Sequence, residues 1–327
     1  MNNKLKVISL FSGYGTQELA LKYIGVNFET IANCDILNTA NIAYDSIHTT
    51  TIGNLGDVTK VDENTFPQCD FLTYSFPCQD ISISGIQKGI QKGTRSGLLY
   101  EVERILSKNQ PKFLLMENVK NLISKNHIKN FEDHITYLNS IGYGCSWLML
   151  NGADYGCPQN RERVFMMSVF GETNEEVEIK MRRVLENKKT HIPMKDFVET
   201  ENVDESLFID CEYEINEPKK QSTCRLIARR NDVKYDQARR IYSIDGCSPC
   251  LTTSGSPQIM TRDGRVRNIT AREGYRFMGV REEDIEKLLS TSISTKNHVA
   301  LAGNSICVPV MEEIFKQFFQ EYMVTNN

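Results

Sequence analysis

The sequence predicts an α/β fold, a doubly wound sheet with a second, smaller domain set into the later part of the chain. Three observations carry this. From Lys4 to Val169 short apolar runs of strand length alternate with stretches of helical periodicity. Beyond Ser168 the alternation stops, and turn clusters such as Asp245-Gly246, Ser254-Gly255 and Asp263-Gly264 take its place, the pattern of a domain rich in hairpins. The charge divides there as well. Residues 171–218 hold 14 acidic and 6 basic residues, a net of −8, whereas Lys219 to Phe277 hold 13 basic and 5 acidic, a net of +8. Charge runs are usually solvated faces, but segregation this sharp suggests a footprint for phosphates, despite an overall net charge of −4.

The elements follow in order. Lys4 to Leu10 reads as a strand, Phe11-Ser-Gly-Tyr-Gly-Thr16 as the turn after it, and Gln17 to Ile24 as a helix. Gly13 and Gly15 let backbone approach a ligand at the helix N-terminus. Glu18 stands where a dinucleotide-binding fingerprint wants its third glycine, and a carboxylate there repels pyrophosphate, so a cationic or neutral cofactor is favoured. A second strand, Phe28 to Asn33, ends at Cys34-Asp35, and Asp57 follows a third, so two carboxylates stand at strand ends.

The next apolar run, Asp70-Phe-Leu-Thr73, is stopped by Pro77, and Cys78 comes directly after it. A cysteine is most often a small buried hydrophobe. At a strand end of a doubly wound sheet, however, a thiol can be approached by substrate. Glycines at 85, 89, 93 and 97 then recur every four residues. In a helix each would cost roughly 1 kcal/mol against alanine, so the stretch reads as a hinged lid carrying Lys88, Lys92 and Arg95 over an anionic substrate.

A helix at residues 96–106 and the apolar strand Pro111 to Met116 come next, with Glu117-Asn118 at the strand's end, on the same sheet edge as Cys78. After a helix from Phe131 to Ile141, strands at Gly144–Leu150 and Val164–Val169 flank Asp154-Tyr-Gly-Cys-Pro-Gln-Asn-Arg-Glu-Arg163. If that piece is extended, Arg161 and Arg163 point to one face, where two guanidinium forks suit a phosphate or a carbonyl oxygen.

Composition narrows the classes further. The N-terminus runs straight into a strand pattern, so no signal peptide is expected. No apolar run reaches the ~20 residues of a membrane span. Ten cysteines without secretory context predict reduced thiols in a cytoplasm. Cys247 and Cys250 alone have metal-ligand spacing, and one such pair is half a zinc site, so no metal is expected. A thiol hydrolase would need a histidine partner, and none of the five histidines sits in a recognisable pairing motif.

Phe76-Pro-Cys-Gln79, Glu117-Asn-Val119 and Gln159-Asn-Arg-Glu-Arg163, in that order, resemble the DNA cytosine C5-methyltransferases of bacterial and phage type. Ile241 to Thr253 is similar to the family's late motif, and Ala302-Gly-Asn-Ser305 to its closing one, so the likeness covers nearly the whole chain. It departs from the pattern at Thr16, where a second consecutive glycine is usual, and at Asp35, where Glu is usual. The resemblance implies a Rossmann-like S-adenosylmethionine-dependent sheet over residues 1–175 and 298–327, a target-recognition domain over 176–280, and a hinge over 281–297. It implies Cys78, Glu117, Arg161 and Arg163 as catalytic residues, with Arg163 at the cytosine O2 and Arg161 supporting the loop. S-adenosylmethionine is expected against Phe11, Gly13, Tyr14, Gly15, Thr16, Asp35, Ile36, Asp57, Val58, Pro77, Leu99, Asn304 and Ser305. Candidate DNA contacts are Gln79, Ser82, Ser84, Lys88, Lys92, Arg95, Arg229, Arg230, Arg239 and Arg240.

The expected partner is double-stranded DNA, bound by a cytoplasmic monomer; a cognate restriction endonuclease, linked functionally and not physically, and the protection of a phage genome are the two settings the sequence leaves open. A tRNA cytosine methyltransferase would share the nucleophile and carboxylate motifs, but the Cys-Phe-Thr signature of that family is absent. A non-catalytic DNA-binding relative would be expected to lack Cys78 or Glu117, and both are present.

Overall fold

The computed structural model describes residues 4–77, 96–216, 223–253 and 256–323. These fall into two compact units, one of residues 1–150, 162–187 and 311–327, the other of 151–161 and 188–310.

The first unit is built on a seven-stranded sheet of β1 (Leu5–Leu10), β2 (Phe28–Cys34), β3 (Gly53–Asn54), β4 (Phe71–Tyr74), β5 (Phe113–Val119), β6 (Tyr143–Asn151) and β7 (Glu162–Phe170), in the order β3-β2-β1-β4-β5-β7-β6. Neighbours from β3 through β5 are parallel, and β7 runs antiparallel to β5. The strand order therefore reverses between β1 and β4, which puts a crevice at the carboxyl ends of those strands. Every residue of β4 is buried, as is all of β5 except Val119, as expected of parallel strands covered on both faces.

Helices α1 (Thr16–Tyr23), α2 (Asn38–Ile47), α3 (Leu99–Leu106), α4 (Ile128–Ser140) and α5 (Asn174–Val184) belong to this unit. The last helix, Val308–Phe318, contributes to it from Met311 onward. Phe315 and Phe319 stack on Phe71 with ring centroids 5.5 and 4.8 Å away. That helix stops at Phe318, and a 3-10 turn, Gln320–Tyr322, completes the segment.

The second unit holds a five-stranded sheet of β8 (Tyr213–Ile215), β9 (Leu226–Arg230), β10 (Arg240–Ser243), β11 (Gln258–Met260) and β12 (Val266–Asn268), in the order β12-β11-β10-β9-β8. It is not hairpins throughout, because β10 and β11 pair in parallel. Around it lie α6 (Asp236–Arg239), α7 (Ala271–Phe277), α8 (Glu282–Leu289) and α9 (Thr295–Asn304). The segment expected as a hinge thus carries α8 and the start of α9, both within this unit. Its polar keystone is a fully buried pair. Arg267 forks onto Glu273, Nη2 to Oε1 at 2.6 Å and Nη1 to Oε2 at 2.8 Å. Glu273 also accepts from Thr270 N, closing the capping box that starts α7.

Candidate active site

The carboxyl ends of β1, β2, β4 and β5 share one edge of the first sheet, and because β7 is antiparallel its first residues lie at that edge too. Register then decides what meets what. Glu117 on β5 stands opposite Phe165, and Val119 opposite Arg163, so Glu117 and Arg163 are diagonal neighbours on one face. Arg163 Nε lies 3.3 Å from Glu117 Oε1, and both side chains are largely buried. Asn118 alternates to the other face, where its Nδ2 donates to the Phe76 carbonyl at 3.0 Å. That bond ties the end of β5 to the chain just before Pro77. Cys78 itself, with Gln79, Ser82, Ser84, Lys88, Lys92 and Arg95, lies outside the described residues.

Three of the other thiols are poor nucleophiles for a physical reason. Burial pushes Cys34 up to about 12, and Cys145 and Cys247 up to about 11, so these stay protonated. Cys247 and Cys250 have separate partners. Cys247 Sγ faces the Ile192 carbonyl, Cys250 Sγ faces Arg161, and no cluster able to hold a metal ion occurs among the described residues.

The glycine turn has the shape of a small-molecule cradle. Phe11, Gly13 and Gly15 all adopt positive φ (55°, 56° and 77°), which brings three left-handed residues into one turn. A Cβ on Gly15 would fall 2.5 Å from His48 Nε2, so no side chain fits there. Over Gly13 the space is open. Gly13 N donates to Asp35 Oδ2 and Leu37 N to Asp35 Oδ1, each at 2.9 Å, which joins the ends of β1 and β2. Burial raises the Asp35 carboxyl, and these backbone donors only partly oppose it. Asp57, by contrast, is held below the usual carboxylate range by hydrogen bonds from Thr59. Ile36, 72% exposed, offers apolar surface beside them. The open space, the fixed carboxylates and the exposed aliphatic chain fit a ribose and a flat base. Tyr14, Thr16, Val58 and Leu99 are buried around this end of the sheet, whereas Pro77 is half-buried.

Glu18 departs from its expected place. It is fully buried, accepting from Ser9 Oγ at 2.5 Å and Tyr44 Oη at 2.9 Å. The carboxylate therefore faces the interior of the unit rather than a ligand at the turn. What the sequence presented as a repulsive group is part of the scaffold beneath it.

The two arginines of the Gln159–Arg163 stretch also depart from the extended reading. β7 begins at Glu162, so Arg161 precedes the strand. Its guanidinium lies in the second unit, where it donates to the carbonyls of Leu251 (3.0 Å), Gly303 (3.0 Å) and Ser305 (2.6 Å). Beside it Gln159, fully buried and not singled out by its sequence, accepts from Leu251 N at 2.8 Å and donates to the Phe277 carbonyl at 3.3 Å. A buried Gln in a run of charged residues was the signal available. Of the closing motif, Ser305 is half-buried and its carbonyl is held by Arg161, while Asn304 is exposed.

The candidate DNA arginines are mostly paired. Arg229 and Arg240 share Asp236, and Arg230 forks onto Asp232. Arg239 has no carboxylate partner among the described residues; its Nε donates to the Arg230 carbonyl at 2.8 Å.

The cradle at the Phe11–Thr16 turn and the Glu117–Arg163 pair stand at one edge of a Rossmann-like sheet, an arrangement that several classes of enzyme share. The comparisons with known proteins specify which. The profile of C-5 cytosine-specific DNA methylases matches residues 5–320. The chain is 32% identical to the type II methyltransferase M2.ScrFI of Lactococcus lactis subsp. cremoris, over 97% of this chain and 99% of that protein. It is 30% identical to the type II methyltransferase M.HhaI of Haemophilus parahaemolyticus, over 95% and 93%. Among solved structures, the Dnmt2 methyltransferase of S. pombe superposes with a TM-score of 0.73 at 20% identity, covering 96% of this chain and 99% of that one. The chain belongs to the C-5 cytosine-specific DNA methylase family. It is a DNA methyltransferase whose methyl donor is S-adenosylmethionine.

Proposed function

We propose that the enzyme methylates C5 of a cytosine flipped out of a specific short duplex site, through a covalent bond between Cys78 and C6. The observation that carries this is the Glu117–Arg163 pair at the edge where the strand leading to Cys78 ends. Cytosine C5 is a weak nucleophile until a group adds at C6, and a thiolate is the species that adds. Glu117, protonated or hydrogen-bonded at N3, relieves the charge that develops on the ring, and Arg163 donates to O2. Their contact orders both side chains before the base arrives. S-adenosylmethionine, held by the Phe11–Thr16 turn, Asp35, Ile36 and Asp57, supplies the methyl group when bound. Loss of the C5 proton then expels Cys78 and restores the ring. A base stacked in a duplex cannot reach such a site, which is the case for flipping.

Arg161 acts as a positioning residue, through the three carbonyls it holds. Residues 176–280 carry target recognition. In this reading the enzyme works as a cytoplasmic monomer on DNA, with a cognate restriction endonuclease as its functional counterpart. Bisulfite sequencing of DNA from cells expressing it tests the reading. Unconverted cytosines should concentrate in one short sequence context and vanish with Cys78→Ala. Complete conversion in both cultures would contradict it.

A further inference from the structure

The connection between β9 and β10 is unlike the rest of the second unit's surface. The two strands pair antiparallel, Arg229 opposite Arg240, and residues 231–239 project from them. Tyr235 is 82% exposed, so its ring covers nothing in the protein. Tyrosine is enriched at interfaces, where its apolar ring and polar hydroxyl both find partners. Charge surrounds it unevenly. Asp236 takes Arg229 on Oδ1 and Arg240 on Oδ2, the latter also through Nε at 2.9 Å. Both strands of the stalk are thereby cross-linked to the first residue of α6. Arg230 is neutralised by Asp232. Lys234 makes no ion pair or hydrogen bond among the described residues, and Arg239 makes none through its Nη groups. From Arg225 to Arg240 six basic residues face two acidic ones. On the opposite side Gln258 Nε2 donates to the Ala238 carbonyl at 3.1 Å, bracing the tip from β11.

We propose that this tip is the element that enters a groove of the DNA, with Tyr235 against the bases, Lys234 and Arg239 on phosphates, and Asp236 as the residue that keeps Arg229 and Arg240 off the phosphates. The proposal rests on the DNA reading above and assigns its specificity to particular residues. The major groove is where each base pair presents a distinct pattern to a side chain. A side chain that meets base edges in a groove reads sequence, whereas cations on phosphates position without reading it. The pinning by Asp236 matters because free arginines would favour any duplex, and discrimination is a difference between affinities.

The test uses the full-length enzyme, a duplex carrying the site mapped by bisulfite sequencing, and a scrambled duplex of equal length. Tyr235→Ala should weaken binding to the site at least about tenfold and leave the scrambled duplex within about twofold, so the preference collapses. Lys234→Ala with Arg239→Ala should flatten the dependence of log affinity on log salt by about 0.9 for each phosphate no longer neutralised. Asp236→Asn should do the reverse of a simple loss, raising affinity for the scrambled duplex and narrowing the ratio. Equal thermal midpoints and equal S-adenosylmethionine affinity across the set exclude misfolding, with Tyr235→Phe as a conservative control expected to keep most of the preference. If wild type methylates its site and all three variants keep its affinity, salt slope and preference, the tip is not the reader and the proposal fails alone. If wild type methylates no duplex, the underlying DNA reading fails with it.

Discussion

The two units offer a contrast between Arg163 and the arginines of the second. In the first, Arg163 stands at a sheet edge against Glu117, where strand register puts both groups on one face. In the second, arginines are mostly engaged by the protein itself: Arg161 on three carbonyls, Arg267 on Glu273, Arg229 and Arg240 on Asp236. In the proposed mechanism the first arrangement serves chemistry, whereas the second largely serves shape. A net of +8 over Lys219 to Phe277 therefore overstates the positive charge available to a ligand, and the free cations rather than the sum locate a DNA surface.

The contrast breaks if variants in the two units have the same phenotype. Glu117→Gln keeps the size and one acceptor of the side chain but removes the acid. Single-turnover methyl transfer at saturating DNA should fall about 10²-fold or more, with thermal stability little changed; a change under twofold would make the carboxylate structural. Glu273→Gln should do the opposite. Leaving Arg267 buried without its counter-ion should cost roughly 3–5 kcal/mol of stability, read as a lower denaturant midpoint. Replacing both partners together, Arg267→Met with Glu273→Leu, should recover most of that loss, and no recovery would mean the pair is not the keystone.

A smaller effect sharpens the cofactor site. Burial raises Asp35, so it gains its proton at a higher pH than an ordinary aspartate near 3.9. The ionised form is the one that accepts from ribose hydroxyls. Titrated downward from neutrality, S-adenosylmethionine affinity should weaken before the pH reaches the ordinary carboxylate range. Asp35→Asn should bind more weakly at neutral pH and lack that acid limb. Parallel pH profiles for the two proteins would remove Asp35 from the cofactor site.

Much of the first unit was legible because topology converts sequence order into position. Once Asp70–Thr73 and Pro111–Met116 are read as parallel strands, Pro77 and Glu117 must fall at one edge. The side chains whose meaning depends on long-range partners were not legible. Glu18 reads as a carboxylate that repels a ligand pyrophosphate until Ser9 and Tyr44 are seen to enclose it. Arg161 and Arg163 read as a matched pair until β7 is found to start between them. In the second unit short strands with one parallel pairing leave no periodicity from which register could be derived. There the partner of each arginine emerges only with the fold.

The central claim, that Cys78 bonds to C6 before methyl transfer, is tested most directly by trapping. Fluorine at C5 cannot leave as a cation, so an enzyme that has added its thiolate and methylated C5 cannot expel it. Duplex DNA made with 5-fluorocytosine, as a pool of randomised sites, should give a denaturation-stable adduct that requires S-adenosylmethionine and fails to form with Cys78→Ala. A preparation that methylates ordinary DNA yet forms no adduct on the fluorinated pool would contradict the account.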